Sequence, residues 1–120
     1  MTYNKKVIQL RASSIWTFSD FVYLSGSNVI EAWYDTESEE VQNLFNALLK
    51  NIYKTENHLS WMGWRGYLKG EAKQRHIWEI GFKAEKRQYR ILGIFDHKKR
   101  KHAILLVGCY HKGKIYSPKL

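Results

Sequence analysis

Apolar and polar positions along the chain follow three regimes. From Val41 onward, Val41, Leu44, Phe45, Leu48, Leu49 and Ile52 recur at helical spacing along one side. This predicts an amphipathic helix of about five turns, from Glu37 to roughly Lys54. Thr36 followed by Glu39 matches a capping box at its start. From residue 76 the period becomes two, so IWEIGFK, QYRILGIFD and HAILLVGCYHK each read as a strand, and IYS as a short closing one. DHKKRK is the polar, compact turn between the second and third of these.

Ahead of the helix, KVIQLRAS and NVIEAWYD read as short strands on either side of SDFVYLSGSN, with a turn near Gly26 and residues 29 to 34 as the firmer strand. Phe18 to Leu24 fits strand or loop. Residues 56 to 75 keep no stable period and contain Gly63, Gly66 and Gly70. They read as a connector with room for a short helix, and Trp61 and Trp64 as packing anchors. Connectors this short allow hairpins and not crossover helices, so the expected sheet is an antiparallel meander with the helix over one face. The fold class is α+β, and the length fits a single domain over 1–120.

Charge changes the picture next. The 20 Lys plus Arg against 11 Asp plus Glu leave +9 at pH 7, which favours a polyanionic partner through attraction and counterion release. RNA, an acidic protein and an anionic surface all meet that description. Residues 37 to 40 read ESEE, and most of the basic surplus follows residue 64, so the second half is the expected contact surface. With 44% hydrophobic residues, five Trp and eight Tyr, the chain is no disordered basic tail. A single cysteine, Cys109, excludes an intramolecular disulfide and multi-cysteine zinc patterns, and fits a reducing, cytoplasmic setting. No apolar run near 18 residues and no export signal is present, so no membrane partner is expected. The five histidines lack ligand spacing and the glycines match no nucleotide loop, so no metal and no cofactor are expected.

Chemistry-bearing residues gather in GCYHKGKIYSP, residues 108 to 118. Metal-free RNA cleavage needs a 2'-hydroxyl to lose its proton, a phosphate whose growing charge is stabilised, and a 5'-oxygen that gains a proton. His111 is the natural candidate for proton transfer, because histidine is the residue type whose reference pKa lies near neutrality. Lys112 and Lys114 can clamp phosphate oxygens, Arg90 can do so as a planar fork, and Tyr116 offers a hydroxyl and a stacking ring. Arg90 is the most informative of these, because it interrupts an apolar strand, where an arginine costs stability unless paired or facing a polar groove. Alternation puts Arg90 in phase with Leu92 and Ile94, and Cys109 with His111. His111 and Lys112 then point apart unless the chain bulges at Gly113. Pairing register decides which of them joins Arg90.

Ordinary readings stay open beside these: a strand-end histidine, solvated lysines, a tyrosine ring on the core, and a structural ion pair for Arg90. Cys109 reads as a small buried side chain. HKKRKH supplies Lys98, Lys99, Arg100 and Lys101, and WRGYLKGEAKQR supplies Lys69, Lys73 and Arg75. With Lys114 these are the candidate RNA-contacting cations, Trp64 or Tyr67 offers a stacking surface, and either run reads equally as a solvated loop.

The string KRQYRILGIFDHKKRKHAILLVGCYHKGKIYSP resembles the phage-derived Gp49-like family, a branch of the RelE/ParE superfamily that includes HigB-type toxins. FSDFVYLSGSNVIEAWYD, one long amphipathic helix, YLKG and IWEIGFK are similar to that family in order. The likeness spans about residues 18 to 118 and is strongest over 77 to 118. It implies a RelE/HigB-like domain: a curved antiparallel sheet covered on one face by one or two helices, with an RNA-facing groove opposite. By the YR-apolar pattern Arg90 takes the central-strand arginine's role, His111 or Lys112 the basic position ending the next strand, and Tyr116 the late tyrosine. Lys69 falls near the preceding lysine region.

The activity implied by the resemblance is metal-independent endoribonuclease cleavage of mRNA on the ribosome, with the RNA's own 2'-hydroxyl as nucleophile and a 2',3'-cyclic phosphate as first product. A small antitoxin protein is the implied partner. This chain departs from the pattern in two places. It carries HKGK where relatives have an arginine or lysine pair, and Gly81 after WEI where relatives commonly carry arginine. The superfamily also holds gyrase poisons, so a gyrase-inhibiting toxin stands as one alternative and a noncatalytic basic RNA- or protein-binding phage-derived protein as another.

Overall fold

In a computed structural model of the chain, residues 15–70, 75–112 and 115–117 are described, with 112 and 115–117 described by their backbone. The elements run β1 (Thr17–Asp20), α1 (Val29–Thr36), α2 (Glu39–Ile52), a 3-10 turn (His58–Ser60), β2 (Trp64–Tyr67), β3 (Trp78–Ala84), β4 (Arg87–Phe95), β5 (His102–Lys112) and β6 (Ile115–Ser117). The strands form one mixed sheet in the order β1-β5-β4-β3-β2, with β6 also pairing on β5. The fold is α+β, with two helices against the sheet.

The period-two segments form the strands expected of them. Ala84 pairs with Arg87, so Glu85 and Lys86 make a two-residue hairpin turn. Both have positive φ, 51° and 63°, the geometry whose twist matches paired strands. One face of the sheet, carrying Trp78, Ile80, Tyr89, Ile91, Ala103 and Leu105, packs against Ile30, Trp33 and Tyr34 of α1 and Val41, Phe45, Leu48, Leu49 and Ile52 of α2. Gly108 interrupts β5 because α1 lies close there: a Cβ at that position would collide with the Trp33 indole. Trp61 and Trp64 are packing anchors, Trp61 buried and Trp64 packed on the core's edge.

Four expectations are corrected. Residues 29 to 34 are helical, not a strand. Asn28 caps them by accepting from the Glu31 amide, and Ile30, Trp33 and Tyr34 fall at helical spacing on the buried side. The long helix begins at Glu39, not Glu37, and Ser38 is its cap, accepting from the Val41 amide at 3.3 Å. Thr36 belongs to α1, and its hydroxyl donates to the Trp33 carbonyl at 3.0 Å, so no Thr36–Glu39 capping box forms. The connector contains a strand, β2, whose pairing with β3 is irregular between Trp64 and Gly66, which hides the period in sequence. Finally, the sheet is mixed and not antiparallel, because β1 pairs parallel to β5 from Thr17 with His102 to Asp20 with Leu105. Everything between them in sequence serves as the crossover that parallel pairing requires. The candidate strand KVIQLRAS lies outside the described residues.

Candidate functional site

Register sorts the strand residues between two faces. The apolar set Tyr89 and Ile91 faces the helices, so Arg90 and Leu92 face away from them. On that outward face Gly81, Arg90 and Cys109 form one cross-strand row. The next row toward the Glu85–Lys86 turn is Lys83, Gln88, His111 and position 116. Arg90 and His111 are therefore diagonal neighbours, with Cα atoms ~7–8 Å apart in such pairs. Tyr116 pairs directly with His111 in register. Lys112 pairs with Ile115 and occupies the alternate register. Thus the register groups Arg90, His111 and Tyr116, and sets Lys112 apart from them. Gly113, where a bulge would be needed, lies outside the described residues, as do Lys73 and Lys114.

Arg90 is only 5% exposed. Its Nη1 donates to the Tyr89 carbonyl at 2.9 Å, and the guanidinium lies over Gly81: an ideal Cβ there would stand 2.6 Å from Nη1. The absent side chain at 81 is what lets the guanidinium lie flat on the sheet. Cys109, on Arg90's other side, is fully buried, and its Sγ donates to the Arg90 carbonyl at 3.7 Å. Burial pushes its thiol up to about 12, with the Glu79 carboxylate adding to that and Arg90 opposing it. The sulfur therefore stays protonated at neutral pH and serves as core, not nucleophile.

The exposed cations expected to contact RNA lie elsewhere. Lys69 and Arg75 sit on the connection into β3, and Lys98, Lys99 and Arg100 on the hairpin between β4 and β5. The pairings of Tyr67 with Trp78, Trp78 with Gly93 and Phe95 with Ala103 bring both segments to one end of the sheet. At ~3.3 Å per residue, Gly93 is about 10 Å and Phe95 about 17 Å along β4 from Arg90. Lys101 differs from its neighbours. Its Nζ lies 5.3 Å from the Trp16 ring centroid and donates to the Glu56 carbonyl at 3.4 Å, so its stem is part of the packing. Beside it, Ile15, Glu56, Arg100 and Lys101 line an open depression of about 300 Å³.

Of the two stacking candidates Trp64 is half-buried, while Tyr67 is 44% exposed at the sheet edge. Two further histidines have defined surroundings. His58 sits among the rings of Phe95 (4.9 Å), Trp64 (5.0 Å), Trp61 (6.1 Å) and Trp16 (6.3 Å), and burial, then Lys101, lowers its pKa. His102 Nε2 hydrogen-bonds Ser19 Oγ at 2.9 Å; its pKa is lowered by burial and Lys99, against a smaller opposing effect of Asp96.

One residue of the outward face escaped the reading from sequence. Glu79 pairs with Leu92, two residues along β3 from Gly81, and is half-buried. Its signal was present in WEIGFK, as an acid between the buried Trp78 and Ile80, in phase with Gly81.

Among the described residues no cluster of three or more His, Cys, Asp or Glu stands ready to hold a metal ion, and no helix is long and apolar enough to cross a membrane. Compared with known protein families, curated proteins and solved structures, the chain matches none.

Proposed function

We propose that this chain is a RelE/ParE-type, toxin-like endoribonuclease that cleaves ribosome-bound mRNA without a metal and is held in check by a small antitoxin. The observation that carries the reading is the alignment of Arg90, His111 and Tyr116 by register on three adjacent strands. In this reading the 2'-hydroxyl gives its proton to solvent water as its oxygen bonds to the adjacent phosphorus, the bond to the 5'-oxygen breaks, and a 2',3'-cyclic phosphate and a 5'-hydroxyl result. His111, as imidazolium, gives a proton to the departing 5'-oxygen. Arg90 stabilises the charge that grows on the phosphate, and its burial strengthens that effect because fewer water molecules screen it. For direct contact the guanidinium exchanges the Tyr89 carbonyl for a phosphate oxygen. Tyr116 orients the scissile nucleotide. The basic end of the sheet holds flanking phosphates and fixes direction without reading bases.

The test is a purified translation reaction with ribosome-bound message and mapping of cut ends. New 2',3'-cyclic phosphate termini that depend on the chain support the proposal. A message left intact while the chain still binds it favours the second reading, a noncatalytic RNA-binding protein. That reading draws on Arg90's 5% exposure and on the placement of exposed Lys69, Arg75, Lys98, Lys99 and Arg100 at the far end of the sheet.

A further inference from the structure

We infer that the helix side of the sheet carries a second RNA site, an aromatic ledge led by Tyr67 on which the bases of an unpaired strand stack. The inference rests on RNA being the partner, as the proposed function does, and holds with or without cleavage.

Pairing fixes the side of the sheet. Tyr67 stands opposite Trp78, Trp64 opposite Ile80, and Phe95 opposite Ala103, and side chains directly opposite in an antiparallel pair share a face. Trp78, Ile80 and Ala103 belong to the core beneath the helices, so their partners point to that side too. The Arg90 row faces the other way, which makes the ledge a separate site. Its cover differs from that of the inner strands: α1 packs on β5 and α2 on β3, while β2 packs on the 3-10 turn. That turn places the His58 ring 5.0 Å from Trp64 and 4.9 Å from Phe95. The Tyr67 ring stands edge-on to Trp64 at 5.7 Å, and Trp64 and Phe95 lie within 17° of parallel at 6.4 Å. Four rings from two strands and a turn thus form one continuous surface.

The core uses only part of these rings. Trp64, His58 and Phe95 are half-buried and Tyr67 is 44% exposed, with Leu59 and Met62 exposed beside them in the chain. Single exposed apolar side chains are ordinary; contiguous ones mark a contact surface. Cations border it on both sides. Lys69 and Arg75 lie on the connection that follows Tyr67, and Lys98, Lys99 and Arg100 on the hairpin that follows Phe95. Of the carboxylates at this end, Asp96 is engaged within its own turn, accepting from the Lys98 amide at 3.0 Å. An uncharged apolar partner would use the rings and leave the cations idle. A duplex would use the cations and leave the rings idle, because its bases already stack on one another. An unpaired strand uses both: its phosphates meet the cations and its bases lie on the rings, with little dependence on sequence.

The experiment measures binding of an unstructured RNA of about ten nucleotides, within the usual site size of a stacking groove, off the ribosome. Wild type is expected to bind the single strand more tightly than a duplex of the same length. Tyr67→Leu, which keeps apolar bulk and removes the ring, should weaken single-strand binding roughly 5- to 150-fold, the usual worth of one stacked base. Tyr67→Phe should bind as wild type does. Because no phosphate contact is lost, the slope of log affinity against log salt should stay the same in Tyr67→Leu. Wild-type affinity in Tyr67→Leu overturns the inference, and so does a reduced slope, which would make the ring a prop for the cations. The wild type alone supplies a further test that no folding defect can obscure. Equal affinity for duplex and single strand, or binding to vesicles of anionic phospholipid with none to the single strand, overturns it. The outcome is separate from that of the ribonuclease reading: a chain that stacks RNA on Tyr67 and cuts no message keeps the inference and loses that reading, and a chain that cuts message while indifferent to Tyr67 does the reverse.

Discussion

Arg90 occupies the space that a side chain at residue 81 would fill: its Nη1 lies 2.6 Å from where a Cβ on Gly81 would stand. A glycine on one strand and an arginine on the next thus act as a unit. The guanidinium is flattened against the sheet, bonded to the Tyr89 carbonyl, with Cys109 as its cross-strand neighbour on β5. This accounts physically for the glycine that follows WEI, because a larger residue there would lift the guanidinium off the sheet.

Replacing Arg90 tests the functional reading most directly. Arg90→Ala is expected to lower single-turnover cleavage by about 10²- to 10³-fold, the usual cost of one transition-state donor. Arg90→Lys should recover only a fraction, since an ammonium lacks the planar fork. Rates measured on samples with matching circular dichroism check this; equal rates for wild type and Arg90→Ala would remove the arginine from the mechanism.

The basic end of the sheet should act on binding and not on chemistry. Changing Lys98, Lys99 and Arg100 together to alanine should weaken RNA binding, and reduce the slope of log affinity against log salt by about 0.7 for each phosphate that is no longer neutralised. Cleavage of saturating message should persist. Lys101 is left in place because its stem packs on Trp16. A titration series in salt reads the slope, and a wild-type slope in the triple variant would assign that loop to solvent.

Stability should fall on mild acidification. The pKa of His58 in the folded chain is below its ordinary 6.5, chiefly through burial among aromatic rings and then through Lys101. The folded state therefore favours the neutral imidazole. Its contribution is fully present above pH 6.5 and is lost as pH falls through the depressed folded value. His102 is shifted in the same direction and adds to the loss. His58→Phe should reduce the drop in unfolding free energy between roughly pH 7.5 and 5 without abolishing it. Comparing variant with wild type at each pH cancels Glu37, whose pKa is raised, mainly by burial, and whose sign is opposite. Urea denaturation at the two pH values is the measurement.

The helix boundary is testable by its caps. Ser38→Ala should cost about 1 kcal/mol, the usual worth of an N-cap hydroxyl. Thr36→Ala, at an exposed position ending α1, should cost less than about 0.5 kcal/mol. Thermal melts of the two variants rank them, and the reverse order would return the cap to Thr36.

Much of this architecture was legible because it is local. The α2 stripe and the strands over residues 77 to 117 depend on periodicity, and periodicity is written in the chain itself. Where two local signals competed, the reading failed: Val29 and Ile30 suggested a strand by their branched side chains, while the Asn28 cap and the spacing of Ile30, Trp33 and Tyr34 carried the helix. β2 went unseen because an irregular register and two glycines break its alternation.

From the sequence alone came the alternation that sets Arg90 with Leu92 and Cys109 with His111, the basic second half, and the single buried thiol. These are properties of residues a few positions apart. Only the tertiary structure decided that β1 runs parallel to β5 and that Gln88 and not Arg90 stands opposite His111. The reason is that register depends on packing across strands distant in sequence: a slip of one residue would exchange the two faces, and the burial of Trp78, Ile91 and Leu105 beneath the helices is what forbids it.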